Sequence, residues 1–399
     1  MILLFLTSGL FLGWTLGAND ASNVFGSAVG SRMVSFTRAA VTAAVFVIIG
    51  AVVQGSGAAE TLSRLGEVNA MGGAFTVALA AGLTVYFMTR AGLPVSTTQA
   101  IVGAIIGWNF FTNNAVDSGV LTKIISTWIT GPVLGAIFAY ALYHLVKTAR
   151  RRIKIHLLKY ENWLRIGLMT VGAFGAYSLG ANNIANVMGV FVPSIPLEDA
   201  DFGIFVLSGA QQLFFLGGIA IAGGILTYSK KVIETVGTNL MELSSEAAFV
   251  VVLAQALVLF IFSSSSLSDF MVRIGLPPIP LVPVSSTQVV IGAILGIGLY
   301  KGVRNINLKV LGSIASGWIT TPVAAGILSF LLLFVVKNLF SIDVGHSVNP
   351  PASAGKGMSM AAIIRYSIPV LLFITAIYLV WLILSEKKKT ERINKKYYE

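Results

Sequence analysis

Long apolar runs separated by short polar or charged breaks make up most of the chain. Runs free of Asp, Glu, Lys and Arg fall at 1–19, 39–59, 68–89, 91–116, 124–146, 166–197, 202–229, 247–268, 274–300, 310–336 and 366–385. Each is near or above the ~20 residues that an α-helix needs to cross ~30 Å of hydrocarbon. The pattern predicts an all-α polytopic membrane protein with about 11–12 membrane segments, since helices satisfy their own backbone in lipid. The runs at 91–116 and 274–300 have two readings, a full span or a discontinuous helix in a re-entrant hairpin. Met1 to Trp14 holds no Lys or Arg, so the first run reads as a retained span and not as a secretion signal.

Composition narrows the class. Hydrophobic residues make up 56% and charged residues 11%, with a mean hydropathy of +0.85. Soluble domains carry about 25% charged residues. A disordered chain, a cytosolic enzyme and a nucleic-acid binder are excluded together. No cysteine is present, so thiol and disulfide chemistry is excluded too. The net charge of +11 is an orientation signal. Lys147, Arg150, Arg151, Arg152, Lys154 and Lys159 crowd one break, and Lys387, Lys388, Lys389, Arg392, Lys395 and Lys396 crowd the tail. Both are expected on the cytoplasmic side of a cell membrane, facing anionic lipid. The acidic break Glu198–Asp201 is expected outside.

The polar exceptions repeat. GANDASN begins at Gly17 and GANNIAN at Gly180; PVSTTQ begins at Pro94 and PVSSTQ at Pro283; STWITGPV begins at Ser126 and SGWITTPV at Ser316. The order is the same in both halves, so the chain reads as a duplication. The expected organisation is a first repeat over 1–146, a basic linker over 147–160, a second repeat over 161–337, and a C-terminal loop, helix and basic tail over 338–399. With an odd number of crossings in each copy, the two repeats are expected to have opposite orientations in the bilayer, a plan of secondary transporters.

These exceptions also carry the candidate chemistry. Asn19, Asp20, Ser22 and Asn23, with Asn182, Asn183 and Asn186, interrupt apolar sequence. Polar groups at membrane depth need a cavity or a partner. Gly17 and Gly180 are expected to permit local unwinding, freeing carbonyls that join these side chains as hard oxygen ligands. Such ligands suit a small monovalent cation or a proton relay; the plainer alternative is hydrogen-bonded helix packing. Pro94 and Pro283 are expected to open helices. Ser96, Thr97 and Thr98, and Ser285, Ser286 and Thr287, then lie at helix N-termini, where free N–H groups and hydroxyls favour an oxyanion such as phosphate or sulfate. Gly103/Gly107 and Gly292/Gly296 have the spacing that lets helices approach closely. Glu242 and Glu246 border the 247–268 run as internal or helix-end carboxylates. No nucleotide loop, zinc motif or nucleophile elbow is present, so an enzyme is not expected.

Taken together, GANDASN, GANNIAN and the two PVS[ST]TQ blocks resemble the signatures of the inorganic phosphate transporter family. The resemblance implies cation-coupled uptake of inorganic phosphate, with Na+ or H+ as coupling ion, and sulfate carriers among relatives. It places phosphate or cation roles on Asn19, Asp20, Asn182 and Asn183, on Ser96–Thr98 and on Ser285–Thr287. The segment at 241–243 resembles one with a functional glutamate, which points to Glu242. Family members often have His after the Ser/Thr block, where Gln99 and Gln288 stand here, just behind the expected ligands. Animal members have a second Asp where Asn183 stands, and a glutamate near Val47. With fewer titratable groups, Na+ is favoured over H+. No cofactor is expected, and a homodimer is implied only by family analogy. The other readings are a proton-coupled phosphate or sulfate permease and, in a different class, an anion channel or a membrane-embedded receptor or enzyme.

Overall fold

The computed structural model describes residues 2–30, 33–91, 95–152, 156–201, 203, 206–230, 243–302 and 308–345. Glu242, the run at 366–385 and the basic tail lie outside the described residues.

The apolar runs become helices: α1 (Ile2–Gly30), α2 (Phe36–Gln54), α4 (Met71–Arg90), α6 (Ser118–Arg152), α7 (Leu157–Met188), α8 (Gly209–Thr227), α9 (Ser245–Ser263) and α12 (Leu308–Leu339). Seven helical segments are long and apolar enough to cross a membrane, among the described residues. Among the described residues there are also four shorter helices: α3 (Ser56–Gly66), α5 (Thr97–Thr112), α10 (Ser265–Arg273) and α11 (Ser286–Lys301). A two-residue antiparallel ladder joins Ala200–Asp201 to Val206–Leu207 before α8.

The two ambiguous runs are not full spans. Each contains a helix of 16 residues, led by extended chain at 95–96 in the first and at 276–285 in the second. Such a helix is about 24 Å long, short of the ~30 Å core. The basic break at 147–160 is also largely helical. Its first part is the last turn of α6 and its end is the first turn of α7. Glu60 and Arg64 form an exposed i,i+4 ion pair on α3 at 2.7 Å. Ala58, Leu62 and Leu65 on the opposite face of α3 are buried.

Packing follows the repeat. α1 packs on α8, and α2 on α7; α4 lies on α1 as α9 lies on α7; α5 packs on α12 as α11 packs on α6. Every one of these pairs recurs with the halves exchanged. The glycines set the closest approaches. A Cβ on Gly103 would strike the Pro322 carbonyl, and one on Gly292 the Pro132 carbonyl. The spacing read from sequence thus brings the backbones of α5 and α12, and of α11 and α6, into contact. The outer helices α6 and α12 carry exposed apolar residues, including Ile129 and Ile319 at matched positions. The tightest core lies inward, around Trp108, Phe191, Phe214, Leu12 and Leu16.

Candidate functional site

The repeated polar residues meet inside the molecule. α1 passes unbroken through GANDASN and α7 through GANNIAN. The expected unwinding at Gly17 and Gly180 does not occur. Each glycine instead admits a neighbouring backbone, since a Cβ would strike the Ile221 carbonyl at Gly17 and the Val47 carbonyl at Gly180. Intact helices keep their own carbonyls bonded. The main-chain oxygens at the site come from Val95 and Val284, in the extended stretches before α5 and α11.

Helix initiation differs from expectation as well. Ser96 and Ser285 are the N-caps, accepting from the backbone N–H of Gln99 and Gln288 at 3.2 and 3.3 Å. Pro283 therefore sits two residues before the cap, in extended chain, and Pro94 lies outside the described residues. Serine wins the cap because its oxygen satisfies a first-turn N–H, which proline and valine cannot do. Thr97, Thr98, Ser286 and Thr287 occupy the first turns, and all are at most 6% exposed. Two helix N-termini are thus buried beside the α1 and α7 clusters.

The contacts around them come in matched pairs. Asn19 Nδ2 donates to the Val95 carbonyl at 3.3 Å, and Asn182 Nδ2 to the Val284 carbonyl at 2.7 Å. Asn23 Nδ2 reaches Thr287 Oγ1 at 3.3 Å, and Asn186 Nδ2 reaches Thr98 Oγ1 at 2.9 Å. Thr287 Oγ1 donates to the Val95 carbonyl at 3.2 Å, and Thr98 Oγ1 to that of Val284 at 3.5 Å. Within each helix, Asn19 donates to Asp20 at 2.7 Å and Asn182 to Asn183 at 3.0 Å. The two sets join at the Asp20 carboxylate, whose Oδ2 accepts from Ser286 Oγ at 2.6 Å and from Asn183 Nδ2 at 3.2 Å. Ser22 stands apart, its hydroxyl turned onto the Asn19 carbonyl of its own helix at 2.7 Å.

Several buried oxygens here have no partner among the described residues: Thr97 Oγ1, Gln99 Oε1, Gln288 Oε1 and Asn186 Oδ1. Buried polar atoms are normally bonded, so bare oxygens on the first turns of α5 and α11 and on Asn186, which bonds Asn183 next to Asp20, leave capacity for a ligand. Two residues escaped the sequence reading. Thr89 Oγ1 donates to Asn19 Oδ1 at 3.3 Å, and nothing in its local sequence marks it. Gln255 is fully buried on α9 with both amide atoms unpartnered. Its signal, a polar residue inside the 247–268 run, was visible.

Glu246 belongs to a different place. Its side chain is 6% exposed and binds Lys147 Nζ at 2.6 Å, Tyr160 Oη at 2.7 Å, and Arg150. It ties the start of α9 to the end of α6 and the start of α7, and among the described residues it makes no bond into the Asp20 cluster.

A bundle of apolar spans around a buried, mostly uncharged polar centre, entered by two half-length helices, defines a multi-pass membrane protein of the solute-carrier kind. The chain belongs to the phosphate transporter family, whose model matches residues 16–329 and again 279–395. Relatives named as candidate phosphate permeases include one from Methanocaldococcus jannaschii, 28% identical over 81% of this chain and 93% of its own length. One from Pyrococcus furiosus is 26% identical over 83% of this chain and 95% of its own. One from Haemophilus influenzae is 26% identical over 84% and 96%. A solved structure described as the sodium-dependent phosphate transporter has the same fold, with a TM-score of 0.66 and 22% identity over 84% of this chain and 98% of that one.

Proposed function

We propose that this protein imports inorganic phosphate by Na+-coupled secondary transport, with both ions bound where the two repeats meet. The observation that carries the reading is the junction at Asp20. One carboxylate is shared by α1, by Asn183 of α7 and by Ser286 at the N-terminus of α11.

The chemistry divides between two donor sets. Thr97, Thr98, Ser286 and Thr287 present hydroxyls and first-turn N–H groups, and these suit a tetrahedral oxyanion. Asp20 and the bare oxygens of Asn186, Gln99 and Gln288 suit Na+. Asn19, Asn23, Asn182 and Asn183 hold these groups in register and turn oxygens inward when ions arrive. Phosphate carries about one to two negative charges at neutral pH, and neutral donors alone hold such a charge poorly in low dielectric. A co-bound cation offsets it, so binding of one ion favours binding of the other. Glu242 is a further carboxylate proposed for the cation path.

In this reading the two repeats lie inverted in the membrane and rock about the shared centre to expose it alternately to either side. The matched contacts support the idea, because exchanging the roles of the halves leaves the packing nearly unchanged. The basic end of α6 faces the cytoplasm.

The test is labelled phosphate uptake into proteoliposomes. An inward Na+ gradient at fixed pH is expected to drive accumulation, and excess sulfate to compete poorly. Uptake that follows a proton gradient and ignores Na+ would assign H+ instead; uptake displaced equally by sulfate would remove phosphate selectivity.

A further inference from the structure

Away from the Asp20 centre, the ends of α6 and α11 enclose an open groove of about 490 Å³, lined by Tyr143, Lys147, Arg150, Arg151, Tyr300 and Lys301. Four cations meet here. The acid that faces them is Glu246, engaged by Lys147, Arg150 and the Tyr160 hydroxyl. Among the described residues, Arg151 and Lys301 have no acidic partner, so the groove keeps a surplus of positive charge. Buried Tyr143 lies under both lysines, with Lys147 Nζ 5.4 Å and Lys301 Nζ 5.6 Å from its ring centroid. Its ring meets Tyr300 edge-on at 5.1 Å. The two lysines are therefore held over one aromatic ring, and Arg150 lies over that of Tyr160 at 5.2 Å.

We infer that this groove is a binding site for an anionic phospholipid, with the phosphate headgroup among Arg150, Arg151 and Lys301. Phosphate oxygens match guanidinium forks and an ammonium on a short arc. A free phosphate or pyrophosphate shares that headgroup chemistry. The surface below the groove selects the lipid. Ile129, Val133, Ile137 and Tyr140 recur at helical spacing on α6, and each is about half exposed or more. This apolar track runs up the helix to Tyr140, which packs against Tyr300 at 5.4 Å, at the mouth of the groove. An acyl chain fits the track while its headgroup fits the groove. Basic clusters at the ends of spans recognise anionic lipid in this way. The inference does not depend on what the Asp20 centre transports.

The experiment is native mass spectrometry of the full-length protein in detergent, with phosphatidylglycerol, phosphatidylcholine or pyrophosphate added separately. Phosphatidylglycerol is expected to stay bound in preference to phosphatidylcholine. The double variant Arg151→Gln/Lys301→Gln is expected to weaken its retention about thirtyfold, from two lost surface cations. Both side chains are exposed, so the variant is expected to melt at the parent's temperature. Lys123→Gln/Arg273→Gln removes the same charge elsewhere and is expected to leave retention unchanged. Equal retention of the two lipids, or equal loss in both double variants, would overturn the site. Pyrophosphate binding that displaces no lipid and is itself lost in Arg151→Gln/Lys301→Gln would overturn the lipid assignment in favour of a soluble anion.

Discussion

The two halves of the polar centre differ by little, and the difference is where charge enters. Asn19 and Asn182 hold matched carbonyls, and Thr287 and Thr98 take matched amides. At the next position the first half has Asp20 and the second has Asn183. The helix starts diverge in response. Ser286 Oγ donates to the Asp20 carboxylate, while Thr97 Oγ1, its counterpart, is buried without a partner. A duplicated scaffold supplies position twice, and one substitution puts a carboxylate on one side and leaves the other with neutral donors. On the proposed function, Asp20→Asn erases the difference and has the largest expected effect. Na+-stimulated phosphate uptake should fall by about a hundredfold or more, as for loss of a group central to charge compensation. The protein should still elute as a folded species on size exclusion, because Asn keeps the shape of the side chain and one of its two accepting oxygens. Unchanged uptake would remove Asp20 from the mechanism.

Ser286→Ala is next. It deletes the shorter of the two bonds that hold the carboxylate across the junction between halves. Hydrogen bonds to charged groups contribute about 1.5–3 kcal/mol, so half-saturating Na+ is expected to rise about tenfold or more. Asn183→Asp attacks the comparison from the other side by placing a second carboxylate next to the first. Like charges this close oppose each other, and a second cation is then needed before phosphate enters. Half-saturating phosphate at fixed Na+ should rise by about tenfold, with a steeper Na+ dependence. A lower value would mean that the second half is the cation side.

Much of this centre was legible in the sequence because its residues break a strong background. Asn, Asp and Ser inside apolar runs are conspicuous, and their repetition marked both clusters. The half-length helices were legible only as an ambiguity, since a 16-residue helix with an extended lead has the apolar length of a span. Their true starts depend on which residue caps, a contest between Ser96 and Pro94 or Ser285 and Pro283 that composition does not decide. The unwinding expected at Gly17 and Gly180 failed for a tertiary reason. A glycine that loosens a helix and one that admits a neighbouring carbonyl look alike until the neighbours, Ile221 and Val47, are in place. Glu246 was legible as a charge near a span, but its ion pairs with Lys147 and Arg150 join residues far apart in the chain. Thr89 gave no signal, because a threonine near the end of an apolar helix is ordinary.

Thr97→Ala has the smallest expected effect and separates the two halves most finely. Thr97 begins α5 as Ser286 begins α11, yet its hydroxyl does not touch the carboxylate. If both halves of the centre hold cation alike, Thr97 and Ser286 should behave alike, and each substitution should raise half-saturating Na+. If the charge resides with Asp20, the free Thr97 hydroxyl is a neutral donor for phosphate. Its removal should then cost about 1 kcal/mol of phosphate binding, roughly a fivefold rise in half-saturating phosphate, with little change for Na+. Thr97→Ser keeps the hydroxyl and should restore the parent value, which separates loss of a donor from loss of packing. Uptake measured across a grid of phosphate and Na+ concentrations reads both constants from one preparation. A rise in the Na+ constant with the phosphate constant unmoved would place Thr97 among the cation ligands and make the two halves chemically equivalent despite Asp20.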